Sequence, residues 1–256
     1  MPRTVMFDMW EPFRLSLIQR HRFYFEQAQS RLLSQFGNLE AEAKEIEQSY
    51  LREMGRHFDP DRHSPEDFLQ AAYDKSLEHY QLLEELLKDT RLSVSAGMFH
   101  EWEKQLREWV TKEARYWGGS EHADSAVWRV PITEVIDLLV CIGWNVRGEG
   151  FYSSLNGLRL VVNVFKHGNG SSLLELQTKY PEYVPNPLAE LGLVSMNGEW
   201  RAHYRHLQLN DEHLREFSQA IIQFWEAVPE RIYINDEDEL SVPAWFKSAY
   251  LKDAVN

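Results

Sequence analysis

A chain of 256 residues, 43% hydrophobic and 26% charged, can bury one large core or two small ones, and its 9 Trp, 11 Tyr and 13 Phe supply bulky anchors, which excludes a disordered chain. The formal charge of −13, from 40 acidic and 27 basic residues, opposes a broad phosphate-tracking surface, and a single cysteine, Cys141, excludes an intrachain disulfide and a thiolate-rich zinc site. There is no apolar run long enough to span a bilayer and no signal-peptide core in "MPRTVMFDMWEPFR", so no membrane association and a cytoplasmic location are expected.

Residues Phe13 to Phe36 lack Pro and Gly and repeat apolar side chains every three or four positions, which predicts an amphipathic helix ended by Gly37 and Asn38. Leu39 to Met54, rich in Glu, Ala and Lys, predicts a second helix. In "HFDPDRHSPEDFLQAAY" Pro60 breaks the chain, and Ser64 as N-cap, Pro65 at the first helical position and the acids Glu66 and Asp67 start a helix running to about Leu87. His57, Asp59, Asp61 and His63 are of metal-ligand type, but turn formation by Asp and Pro explains them, and no metal is expected.

Ser93 to Trp117 predicts a further, separate helix with Phe99, Trp102, Leu106, Trp109 and Val110 on its apolar face and a Glu103–Arg107 pair across one turn. "WGGSEHADSAVWRVP" reads as a loop. "PITEVIDLLVCIGW" suits a helix buried on most sides, although periodicity alone also allows a strand, and its apolar neighbours make Cys141 an inert core thiol. Leu158 to His167 predicts a helix, although its valines would also serve a strand, and "KYPEYVPNPLAELG" is a Pro-rich connector. His203 and His206 read as a solvated face. Asn210, Asp211 and Glu212 start a helix through "LREFSQAIIQFWEAV", and the tail carries an acidic run and a short amphipathic helix. The expected architecture is an all-α multi-helix bundle of long antiparallel helices, with an N-terminal extension over 1–92, a helical domain over 93–228 and a C-terminal segment over 229–256.

The chemistry concentrates in "RLVVNVFKHGNG", residues 159–170. In a helix, Arg159, Asn163 and His167 fall one turn apart on one stripe, and from Phe151 to Tyr180 three basic residues face one acidic residue. A forked cation, an amide and an imidazole on one face suit a phosphodiester, with Arg for the non-bridging oxygens and His for proton transfer. Eight residues separate Arg159 and His167 by about 12 Å along the axis. Closing that gap requires both side chains to lean inward, the helix to loosen before Gly168, or a second subunit. Helix termination alone explains Gly168 as the C′ residue and Lys166 and His167 in the last turn. It does not explain Arg159 and Asn163, polar groups that need partners if buried. There is no Walker-type loop, dinucleotide fingerprint or nucleophile-elbow serine.

"LRLVVNVFKHGNGSSLLELQTKYPEYV", preceded by the helix "MFHEWEKQLREWV", resembles the HEPN superfamily of all-α proteins, many of them metal-independent ribonucleases of toxin–antitoxin and phage-defence systems. The resemblance covers about residues 93–228. It implies Arg159 and His167 as the catalytic pair, Asn163 and Lys166 as RNA-positioning residues, a homodimer with a shared cleft, no cofactor, and an antitoxin or defence-complex protein as partner. The implied reaction is attack of a ribose 2′-hydroxyl on the adjacent phosphate, which confines the substrate to RNA. The family spacer is usually shorter, with the polar residue beside the Arg; here seven residues intervene and Leu160 follows Arg159. The alternative reading keeps the fold and drops the chemistry, leaving a helical interaction module that assembles a defence or regulatory complex.

Overall fold

The computed structural model describes residues 3–59, 61–115, 121–187, 200–235 and 242–254. The fold is all-α and multi-helix, with one small two-stranded sheet. In chain order the elements are strand β1 (Arg3–Asp8), helices α1 (Glu11–Arg31), α2 (Leu39–Gly55), α3 (Pro65–Arg115), α4 (Glu121–Arg129), α5 (Ile132–Cys141), α6 (Tyr152–His167), α7 (Ser171–Lys179) and α8 (Asp211–Ala227), strand β2 (Arg231–Asn235) and helix α9 (Ala244–Ala254). Contacts group the chain into two units, Met1–Phe25 with Ser95–Asn256, and Glu26–Val94.

Unit Glu26–Val94 is built on a helical hairpin. Tyr50 and Glu40 of α2 lie in electrostatic range of Lys75 and Tyr80 of α3, the register of antiparallel neighbours. The turn between them is locally satisfied: Asp59 N–H donates to His63 Nδ1 (3.0 Å), Asp61 N–H donates to Asp59 Oδ1 (3.0 Å), and Phe58, His63 and Phe68 pack ring on ring.

Where two helices were expected, α3 is one helix of 51 residues. Residues 87–94 contain neither Pro nor Gly, so nothing stops propagation there; Thr90 Oγ1 donates back to Leu86 O (2.7 Å), and Leu92 and Val94 are buried.

In the other unit the expected apolar face of α3, Phe99, Trp102, Leu106, Trp109 and Val110, is buried throughout. Arg107 pairs with Glu103 (2.6 Å) and donates to the carbonyl of Val127. The aromatic centre is Phe224 on α8, in contact with Trp102 (5.2 Å, edge-on), Trp144 (5.1 Å), Phe151 and Trp225. Asn210 caps α8 by accepting from His213 N–H, while His213 Nδ1 accepts from Asn210 N–H.

Three expectations are corrected in this unit. Residues 121–129, expected as loop, form α4, held by buried Val127 and by the Arg115–Asp124 ion pair (2.5 Å); Trp117 to Ser120 of that stretch lie outside the described residues. Cys141, expected in the core, is exposed, because α5 buries Ile132, Val135, Ile136, Leu138 and Leu139 and its last residue turns to solvent. The chain ends, expected without strands, pair β1 with β2 antiparallel, Arg3 opposite Asn235 and Asp8 opposite Arg231. Part of the Pro-rich connector and the acidic run lie outside the described residues.

Candidate functional site

Helix α6 forms because Leu155, Leu158, Leu160, Val161, Val162 and Val164 present a broad apolar face, and that face is buried against neighbours that include α7 and α8. The β-branched run is carried by this burial, not by propensity. Gly157 sits where Tyr183 crosses, since a Cβ there would lie 3.0 Å from its ring. Gly168 ends the helix at φ +70°, its N–H donating to Val164 O (2.8 Å), as the last-turn pattern predicts.

Arg159 is mostly covered, and the Nε/Nη2 edge of its guanidinium is engaged. Nε and Nη2 both donate to Asn156 Oδ1 (3.0 and 2.9 Å), and Nη2 lies 3.7 Å from Glu175 Oε2, whose other oxygen accepts from Lys179 Nζ (2.9 Å). Asn156 Nδ2 in turn donates to Tyr180 Oη (3.1 Å). This chain of bonds ties α6 to α7 and the turn after it. A companion set ties α5 to the start of α6: Arg147 pairs with Asp137 (2.6 Å) and donates to Tyr152 Oη (2.8 Å). Burial holds the Tyr152 phenol above its usual pKa against the pull of Arg147 and Arg159, so it stays protonated at neutral pH.

The four residues singled out in the sequence are not brought together within one chain. Arg159 leans toward Asn156, one turn nearer the helix N-terminus, and so away from His167. The helix is regular through His167, so no loosening shortens the 8-residue interval. Asn163 is half-buried, Lys166 and His167 are exposed, and none of the three side chains forms a hydrogen bond or ion pair with a described residue. Next to Arg159 lies a narrow cleft of about 20 Å³ lined mainly by apolar groups such as Phe99, Trp102 and Ile136. That is room for about one water, far short of a nucleotide.

Sequence reasoning missed Asn156, Tyr152, Glu175 and Tyr180. Asn156 was readable, three residues before Arg159 on the same face. Glu175 and Tyr180 reach Arg159 and Asn156 only because the glycine turn at 168–170 folds α7 back on α6. His203 and His206 are used locally, each Nδ1 accepting a backbone N–H of the single 3₁₀ turn between them. Among the described residues no group of three His, Cys, Asp or Glu side chains is placed to hold a metal ion, and no helix is long and apolar enough to cross a membrane. Comparisons with family models, with curated proteins and with solved structures find no match.

Proposed function

We propose that this chain is a HEPN-like helical interaction module that assembles a defence or regulatory complex, not a nuclease complete in one subunit. The observation that carries this reading is the commitment of Arg159 to Asn156 and Glu175, facing away from His167. The Nε/Nη2 edge of Arg159, which would make a two-point contact to a phosphate, is engaged by its own chain and is offered to a phosphate only by breaking those bonds.

The surface offered for assembly is the α2–α3 hairpin. Leu69, Tyr73 and Leu77 are exposed at four-residue intervals on α3, forming one stripe with Glu66, Asp74 and Glu84 exposed alongside. Glu26–Val94 holds fifteen acidic against eight basic residues, a net charge of −7. That charge repels nucleic acid and a second copy of the same stripe, and it suits a protein presenting a basic amphipathic helix.

The ribonuclease reading keeps one specific support: Lys166 and His167 stand exposed and unengaged at the end of α6, where a second subunit would have to supply the arginine. One experiment separates the two. The purified chain is titrated with a synthetic amphipathic helix of Leu and Lys and, in parallel, incubated with total RNA in EDTA. The module reading expects saturable, salt-sensitive peptide binding that Leu69→Asp/Tyr73→Asp weakens by about tenfold or more, with RNA intact. RNA cleavage by wild type that is lost in both Arg159→Ala and His167→Ala would replace it with the ribonuclease.

A further inference from the structure

A second cleft lies in the larger unit, among β1, the start of α1 and the end of α3. It has a volume of about 320 Å³, and its lining includes Met6, Asp8, Trp10, Phe13, Lys112 and Glu113. A β-bulge between Val5 and Phe7 breaks the strand alternation, so that Met6 and Phe7 are both buried although adjacent, and Met6 contributes apolar wall to the cleft.

The charges around this cleft are unequally satisfied. The Asp8 carboxylate pairs with Arg231 on β2 (3.4 Å), and the Lys112 ammonium sits over the Phe13 ring, 5.4 Å from its centre. Glu113 is only 4% exposed and lines the cleft; its Oε2 accepts from Asp8 N–H (3.0 Å), while its Oε1 carries no hydrogen bond among the described residues. Burial pushes the Glu113 carboxyl above the usual range, against the pull of the Asp8 N–H and Lys112 and with a further push from Asp8. A buried carboxyl with one oxygen lacking a hydrogen bond is incompletely satisfied when ionised. A cation would relieve it. Trp10 is largely exposed at the same cleft and offers a flat apolar face.

We propose that this cleft is a binding site for a small organic cation, a primary amine with a flat apolar body, whose ammonium donates to Glu113 Oε1 while the body packs on Trp10 and Met6. Lone anions are disfavoured by two carboxylates, and a single open carboxylate oxygen does not provide the ligand set of a metal ion. The site is independent of α6 and of the acidic hairpin, so its fate does not bear on the assembly reading.

The test is calorimetric titration of the full chain with phenethylamine, its uncharged isostere 2-phenylethanol, and the anion 3-phenylpropionate. The expected result is saturable one-to-one binding of the amine, about tenfold or more weaker binding of the alcohol, and none of the acid. Glu113→Gln retains an oxygen acceptor for Asp8 N–H and removes the charge; it should lower amine affinity by about tenfold or more and leave the alcohol unchanged, with an unaltered circular dichroism spectrum. Trp10→Ala should weaken amine and alcohol alike. The proposal is overturned if the amine fails to saturate, if the alcohol binds as tightly, or if folded Glu113→Gln binds the amine as wild type does.

Discussion

His21 sits on α1 at 5% exposure, with Nε2 2.9 Å from Ser218 Oγ on α8, and burial lowers its pKa from 6.5 to about 4; nearby Arg22 adds to the depression, and the hydrogen bond to Ser218 offsets part of it. The folded chain therefore holds this imidazole neutral at pH values where the unfolded chain protonates it. Because the folded pKa lies below the unfolded one, the unfolded state binds the extra proton between pH 6.5 and 4, and stability falls as pH drops through that window. A depression of this size corresponds to about 3 kcal/mol, fully present above pH 6.5 and lost toward pH 4. Carboxylates titrate over part of the same range, so the measurement is a difference. Urea unfolding of wild type and His21→Gln is compared from pH 7.5 to 4.5; Gln can keep a hydrogen bond to Ser218 and does not titrate. Wild type should lose stability relative to the variant by roughly 2–3 kcal/mol on acidification. Parallel curves, or a His21 imidazole that titrates by NMR near 6.5, would refute the reasoning.

Two further outcomes follow from α6. Gly168→Ala forces a side chain onto a φ of +70° and should cost about 1 kcal/mol in urea unfolding, without altering the helix content of the native state. Arg159→Ala and Asn156→Ala should each destabilise by about 1–2 kcal/mol and combine non-additively, a coupling of about 0.5 kcal/mol or more in a double-mutant cycle, because each removes the other's partner. Strict additivity would mean that the pair contributes nothing to the fold.

Much of the helical architecture is legible without coordinates. The starts of α3, α5 and α8 are written in Pro65, Pro131 and Asn210, and the buried face of α3 from Phe99 to Val110 is written in its spacing; Asn38, read as the end of α1, also caps α2. What local pattern handled poorly were the junctions. The break expected between about Leu87 and Ser93 does not occur, since with no Pro or Gly there the helix continues, and the loop reading of "WGGSEHADSAVWRVP" covered what is α4. Cys141 shared the composition of α5 but not its buried stripe, which passes through Leu138, Leu139 and Ile142 on the other side of the helix. β1 and β2 are each too short to stand alone, and their partner strands are more than 220 residues away in sequence, so pairing leaves no local trace.

The candidate site divides along the same line. By itself the sequence indicated a helix over Leu158–His167 ended by Gly168, with Arg159, Asn163 and His167 on one stripe, because both follow from backbone periodicity and the conformational freedom of glycine; its six-residue extension back to Tyr152 came from the structure. Only the tertiary structure decided what Arg159 does. Its partners Glu175 and Tyr180, the latter through Asn156, arrive from beyond a turn, and a guanidinium turns to the nearest acceptors that can satisfy it once it leaves water. The burial of Glu113 is a tertiary fact of the same kind: strand and helix packing bring it to the Asp8 N–H and, among the described residues, make it the one buried acid.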